Sequence, residues 1–306
     1  FVKKMKVGDD IGVYKYSSSV TKPTLYSSIY ACMIKSLYND LINLSEREKK
    51  DWVNYFDSFQ SPEDGLFRDS VVMNNIYEDT DWWGARHLLL HIIVAYTALG
   101  AKPQYHFKFL QPYYDTSFIE DWLGQKDWKN FTDHSDDIDN KIMNIGVALQ
   151  YSRDTFYDER AGKSLDALKG ILQKNINPET GLLGPSDLND PDILSRQVQF
   201  SYHLFPMFYY DGWENPYKEK VIDHVLKTQN RLGGYGVALN TSACEDIDSI
   251  ELLVRLSKQT DYRKADVETS IKRALPWILS NMNKDGGYYF RKNQGLFYGH
   301  EQMSSG

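Results

Sequence analysis

The sequence predicts an all-α protein whose paired helices close into a six-pair double ring, an (α/α)6-type toroid, and three observations predict it. A glycine turn followed by an apolar or aromatic residue recurs along the chain: SPEDGLF from Ser61, NPETGLL from Asn177, QNRLGGY from Gln229 and NKDGGYY from Asn283. The interval from Gly65 to Gly181 is about twice each of those from Gly181 to Gly233 and from Gly233 to Gly286, and Gly124 in DWLGQKDW divides it. The turns therefore recur at about the length of two helices and their loops. Between turns the apolar residues follow helical spacing, and no stretch alternates as a strand would. Finally, a more charged helix precedes each turn and a more apolar one follows it, which implies a wet outer layer around a dry inner one.

In chain order, residues 1–22 read as an irregular N-terminal segment of one domain spanning 1–306. The first dry helix is expected over 25–44. A wet helix over 45–59 opens with the capping box of Ser45 and Glu48, whose side chains satisfy each other's free backbone N–H groups. Further dry helices are expected over 82–99, 138–151, 196–210 and 246–257, and further wet ones over 107–122, 159–174, 216–228 and 265–282. A sixth inner helix is expected to begin near Tyr298 and is still running at Gly306, so the ring reads as incomplete at its C-terminus. Closure buries the dry helices better than an open stack does, and parallel inner helices gather their N-termini at one end of a central cavity.

A net charge of −7 and the lack of any Lys/Arg-rich run exclude the electrostatic footprint of nucleic-acid binding. The expected partner is a small isoprenoid or glycan ligand. Cys32 and Cys244 stand far apart, fit no disulfide framework and point to a reducing cytoplasm. The longest apolar stretch, 88–101, is too short to span a bilayer and contains His91, so no membrane span is expected. No phosphate-binding loop, nucleophile elbow or paired-cysteine cluster is present, so no cofactor is expected and any chemistry is of the acid–base kind.

Four groups of residues are candidates for that chemistry. Glu245, Asp246 and Asp248 open a dry helix shortly after the Gly233 turn. Burial and like-charged neighbours can keep such an acid neutral, able to protonate an alkene or a glycosidic oxygen, although acids in a first turn also simply cap free N–H groups. The segment DTDWWGARHLLLH offers Asp81, Trp82, Trp83, His87 and His91. Its histidines, four residues apart, share a helix face and suit either a metal or a hydrogen-bonded core pair. Tyr202 and His203 lie on one expected inner helix, Tyr298 and His300 at the start of the last, as ligand-binding candidates. The acids Asp136, Asp137 and Asp139 of DHSDDIDNK read as helix-opening charges.

From about Ser61 onward the glycine turns resemble degenerate Q-x-x-x-G-x-W repeats of the terpenoid cyclase and protein prenyltransferase superfamily, whose domain is an (α/α)6 toroid. Toroids that degrade or modify sugars carry degenerate repeats of this sort too. Locally the chain is most similar to class II terpenoid cyclases, in which a D-x-D-D motif opens an inner helix after such a turn. Asp246, Ile247, Asp248 and Ser249 stand there, with Ser249 replacing the last acid. The resemblance implies Asp248 as proton donor, with Asp246 and Glu245 supporting it, and an isomerase or lyase if the chain is catalytic. Protein prenyltransferases hold zinc through Asp, Cys and His; here Cys244 precedes Asp246 and His300, the reverse order, and no metal is expected. Three functions stay open: a cyclase-like enzyme, a glycan-processing toroid, and a non-catalytic binding module.

Overall fold

The computed structural model describes residues 1–70, 84–128, 137–184, 187–294, 296–298 and 301–304. A one-turn helix α1 (Val2–Met5) and two isolated bridges, Lys6 with Tyr14 and Lys15 with Pro23, make up the N-terminal segment. The chain then forms α2 (Leu25–Leu37), α3 (Glu46–Asp57), α4 (Ala85–Ala98), α5 (Thr116–Gly124), α6 (Ile138–Thr155), α7 (Glu159–Lys174), α8 (Pro191–Tyr210), α9 (Lys218–Lys227), α10 (Ala243–Leu256) and α11 (Lys264–Ser280). The described residues are thus overwhelmingly helical.

The caps explain the starts. Thr24 with Ser27, Ser45 with Glu48 and Ser242 with Glu245 form capping boxes at α2, α3 and α10, while Asp190 accepts from the backbone of Asp192 and Ile193 ahead of Pro191 at α8. Several bounds differ from expectation for local reasons. Helix α2 stops at Leu37 because Asn39 turns left-handed at φ 60°, and a 3-10 turn, Asp40–Asn43, follows. The segment at 107–122 divides into a 3-10 stretch, Lys108–Tyr114, and α5, which Asp115 caps. Gly124 merely ends α5 and makes no left-handed turn, so the fifth repeat is not of the same kind as the others.

The sixth inner helix is not found where it was expected. Leu296–Tyr298 instead pairs antiparallel with Glu301–Ser304 in a two-stranded sheet, β1 and β2, so a strand also exists where none was read. The aromatic pair Phe297 and Tyr298 favours an extended backbone, and the run is too short for apolar periodicity to reveal it.

Helices α2, α4, α6, α8 and α10 pack in that order, each on the next. Neighbours in the row run parallel. Tyr26 hydrogen-bonds His87 at the start of α2 and α4, and Cys32 reaches the Ala95 carbonyl further along. At the start of α6 and α8, Arg196 binds Asp139; at their ends, Arg153 binds Asp211 at 2.7 Å. The remaining helices form a second layer against this row, α7 on α5 and α6, α9 on α8 and α10, α11 on α9 and α10. Buried aliphatic and aromatic side chains of both layers, among them Ile29, Ile92, Ile145, Leu204, Leu252, Trp52, Leu168 and Val225, belong to one continuous core.

Two of the glycine turns share one device. Gly65 (φ 81°) and Gly233 (φ 103°) adopt left-handed backbone. A Cβ there would collide with the carbonyls of His106 and Arg273. Beside each turn a glutamine amide donates twice: Gln60 Nε2 to Gly65 O (2.9 Å) and Tyr105 O (2.8 Å), Gln229 Nε2 to Gly233 O (2.9 Å) and Ser270 O (2.8 Å). Each glutamine therefore ties its own turn to the next hairpin, 45 residues on for Gln60 and 41 for Gln229. At the chain's two ends, Ser18 Oγ donates to Asp285 Oδ2 (2.7 Å) and the Phe1 ring lies against Gly287, which brings the N-terminal segment onto the last glycine turn.

Candidate functional site

The site is built on three adjacent helices of the row, α6, α8 and α10. Asp139, in the first turn of α6, is fully buried, and its carboxylate receives Arg196 Nη1 and Nη2 at 2.8 Å each and His203 Nδ1 at 2.7 Å. Arg196 and His203 are seven residues apart on α8, hence on one face, which is why a single acid can meet both. Burial opposes the charge on Asp139, but the hydrogen bonds from His203 and Arg196 outweigh it and hold the carboxyl well below its usual range. The same pair works in reverse on His203. Burial disfavours the imidazolium, yet the bond to Asp139 raises its pKa. Nδ1 is committed to Asp139, while 20% of the His203 side chain stays accessible.

Asp248, in the second turn of α10, is the counterpart. It is 2% exposed, and its Oδ2 has no hydrogen-bond partner among the described residues. Burial pushes its pKa up to about 7; Glu245 and Asp139 add to this, and the charges of His203 and Arg196 oppose it. Tyr202 faces the same group, its hydroxyl pKa raised by burial and by the nearby charges of Asp248 and Glu251. Cys244 keeps solvent access although protein atoms crowd it; that crowding, with the charges of Asp248 and Glu245, pushes its thiol up to about 12. Toward the helix ends Arg255 pairs with Glu251 and lies 5.1 Å from the Tyr209 ring centroid.

The two companions of Asp248 are engaged elsewhere. Asp246 accepts from the Tyr235 backbone N–H (2.8 Å) and Trp277 Nε1 (3.0 Å), clamping the Gly233 turn and α11 onto α10, and burial raises its pKa. Glu245 closes the capping box on Ser242 and meets Arg291 at 3.3 Å. Both oxygens of Asp246 and one of Glu245 thus hold structure together, whereas Asp248 has an oxygen to offer a ligand.

His87 and His91 form a second cluster, on α4. Their Nε2 atoms lie 3.2 Å apart, Tyr26 hydrogen-bonds His87 Nδ1 at 2.7 Å, and Tyr30 stands edge-on to His91. Burial lowers the His91 pKa to about 4, so His91 is neutral at ordinary pH. Among the described residues no group of three or more His, Cys, Asp or Glu is arranged to hold a metal. Asp81, Trp82, Trp83 and His300 lie outside the described residues, as does Asp136; Tyr298 falls within β1.

Asp139 and Arg196 are the members of this site that sequence reasoning missed. Asp139 is expected only as a helix-opening charge, and Arg196 only as a helix start. The available signal was an arginine seven residues before a histidine on an otherwise apolar helix, since a buried cation requires a buried anion.

Fold and site define a predominantly α-helical protein with two packed layers of helices and a buried acid beside an Asp–Arg–His cluster. Comparison with protein-family models, with curated proteins and with solved structures gives no match for this chain. No helix among the described residues is long and apolar enough to cross a membrane.

Proposed function

We propose that the chain is an α/α toroid whose inner helices surround an acid–base site, and that this site acts on a hydroxyl-rich, glycan-type ligand with Asp248 as proton donor. The toroid reading is supported by the parallel row from α2 to α10 and by the contact of Ser18 and Phe1 with residues 285–287. The catalytic reading is carried by one observation: two neighbouring carboxyls are driven apart, Asp139 held ionised by Arg196 and His203, Asp248 held protonated up to about neutral pH. Such a division of roles marks an acid and its ionised partner. Asp248 would protonate a glycosidic or hydroxyl oxygen. His203, oriented through Nδ1 by Asp139, would use Nε2 to bind the ligand or accept its proton, and Arg196 and Asp139 would position it.

Charged groups around Asp248 favour a polar ligand over a hydrocarbon, because each must be matched by hydrogen bonds when water leaves. A cyclase-like reading on an isoprenoid keeps its own support in the order of glycine turn, acid and inner helix, and in the Tyr202 and Tyr209 rings, which can face a developing cation. Incubation with oligosaccharides and, separately, with linear isoprenoids, read by mass spectrometry, tests both. The expected result is saccharide conversion that Asp248→Asn abolishes without unfolding the protein. Isoprenoid conversion would replace the glycan reading, and saccharide binding with no conversion would leave a binding module.

A further inference from the structure

Away from the acid site, a cavity of about 600 Å³ opens between the N-terminal segment and the helices α2 and α4. Its size falls within the range that encloses a small organic ligand. The wall is almost wholly apolar, with Met5, Tyr14, Tyr30, Ile34, Val94 and Ala98 contributed by all three elements. Lys15 is its single charged side chain. The Lys15 backbone is fixed by its N–H to the Met5 carbonyl (2.9 Å), but among the described residues its ammonium has no hydrogen bond or ion pair. At the mouth the apolar surface continues: Ile34 is 37% exposed, Val94 46% and Leu37 82%.

We propose that this cavity binds a long-chain fatty acid, its acyl chain lying in the apolar interior and its carboxylate against Lys15. An apolar recess with Lys15 as the single charged side chain of its lining suits a ligand of the same make-up. A neutral hydrocarbon would leave the ammonium unanswered, and a polar ligand would leave the walls unmatched. The site is independent of Asp248 and of the function proposed for it.

Calorimetric titration of the full chain with laurate, myristate and palmitate tests this. One site per chain is expected, tightening by up to roughly fourfold per added methylene until the cavity is filled. Lys15→Met should weaken palmitate about tenfold while leaving hexadecanol unchanged. Ala98→Trp should abolish binding of both, and Val94→Trp, at a more exposed wall position, should do the same should the first variant lose its circular-dichroism spectrum. Asp248→Asn should bind palmitate as the parent does. The proposal is overturned by an absence of binding, by affinity independent of chain length, or by binding that survives both tryptophan variants. It is equally overturned if Lys15→Met affects acid and alcohol alike, if the chain binds phosphatidylglycerol vesicles but not monomeric palmitate, or if it dimerises through this face in a manner palmitate does not disturb.

Discussion

Burying a carboxyl group without a hydrogen-bond partner destabilises a fold, and at Asp248 that destabilisation carries a pH signature. The folded protein prefers the protonated form, so its stabilising share is present below the unfolded pKa near 3.8 and is lost as pH rises through about 7. A displacement of that size corresponds to about 4 kcal/mol. Asp248→Asn is accordingly expected to unfold at higher urea than the parent at pH 8, with the difference shrinking toward pH 4; equal denaturation midpoints at both pH values would show that Asp248 is not held neutral. Asp139 behaves oppositely. Its ionised form is the stabilising one, and Asp139→Asn leaves Arg196 and His203 facing each other unpaired, at a loss of about 3–5 kcal/mol. The same change should lower the His203 pKa, followed by NMR titration of its ring protons, because the bond that raises it is gone.

At the scale of elements, the glutamine-clasped turns fix where each hairpin begins. Gly233→Ala imposes a strained φ and a clash with the Arg273 carbonyl, and a loss of at least about 2 kcal/mol is expected in chemical denaturation. Gln229→Ala removes both amide bonds and should cost about 1–3 kcal/mol. Much of this level was readable beforehand. The Ser45 and Glu48 box, the alternation of wet and dry helices and the glycine positions all act through neighbours in sequence, so composition and spacing record them. Asp139 with Arg196 was only half readable: Arg196 on a helix with His203 asks for a buried anion, but the pair joins residues 57 apart and nothing local says which acid supplies it. Gly124 and the hairpin at Leu296–Tyr298 misled for a different reason: a glycine or a short aromatic run does not declare its backbone state without its surroundings.

For the whole molecule, a closed ring and an open stack differ in size. A compact body of this length has a radius of gyration of about 19 Å. Small-angle scattering is expected to give that value, and a markedly larger one would favour an extended superhelix. Parallel packing along the row from α2 to α10 followed from the alternation of layers, whereas the contact of Ser18 with Asp285 joins distant residues that no sequence period brings together. The paired amide bonds of Gln60 and Gln229 also bear on how the molecule comes apart. Because each fastens one hairpin to its successor, a break at either clasp should loosen two neighbouring repeats together rather than one.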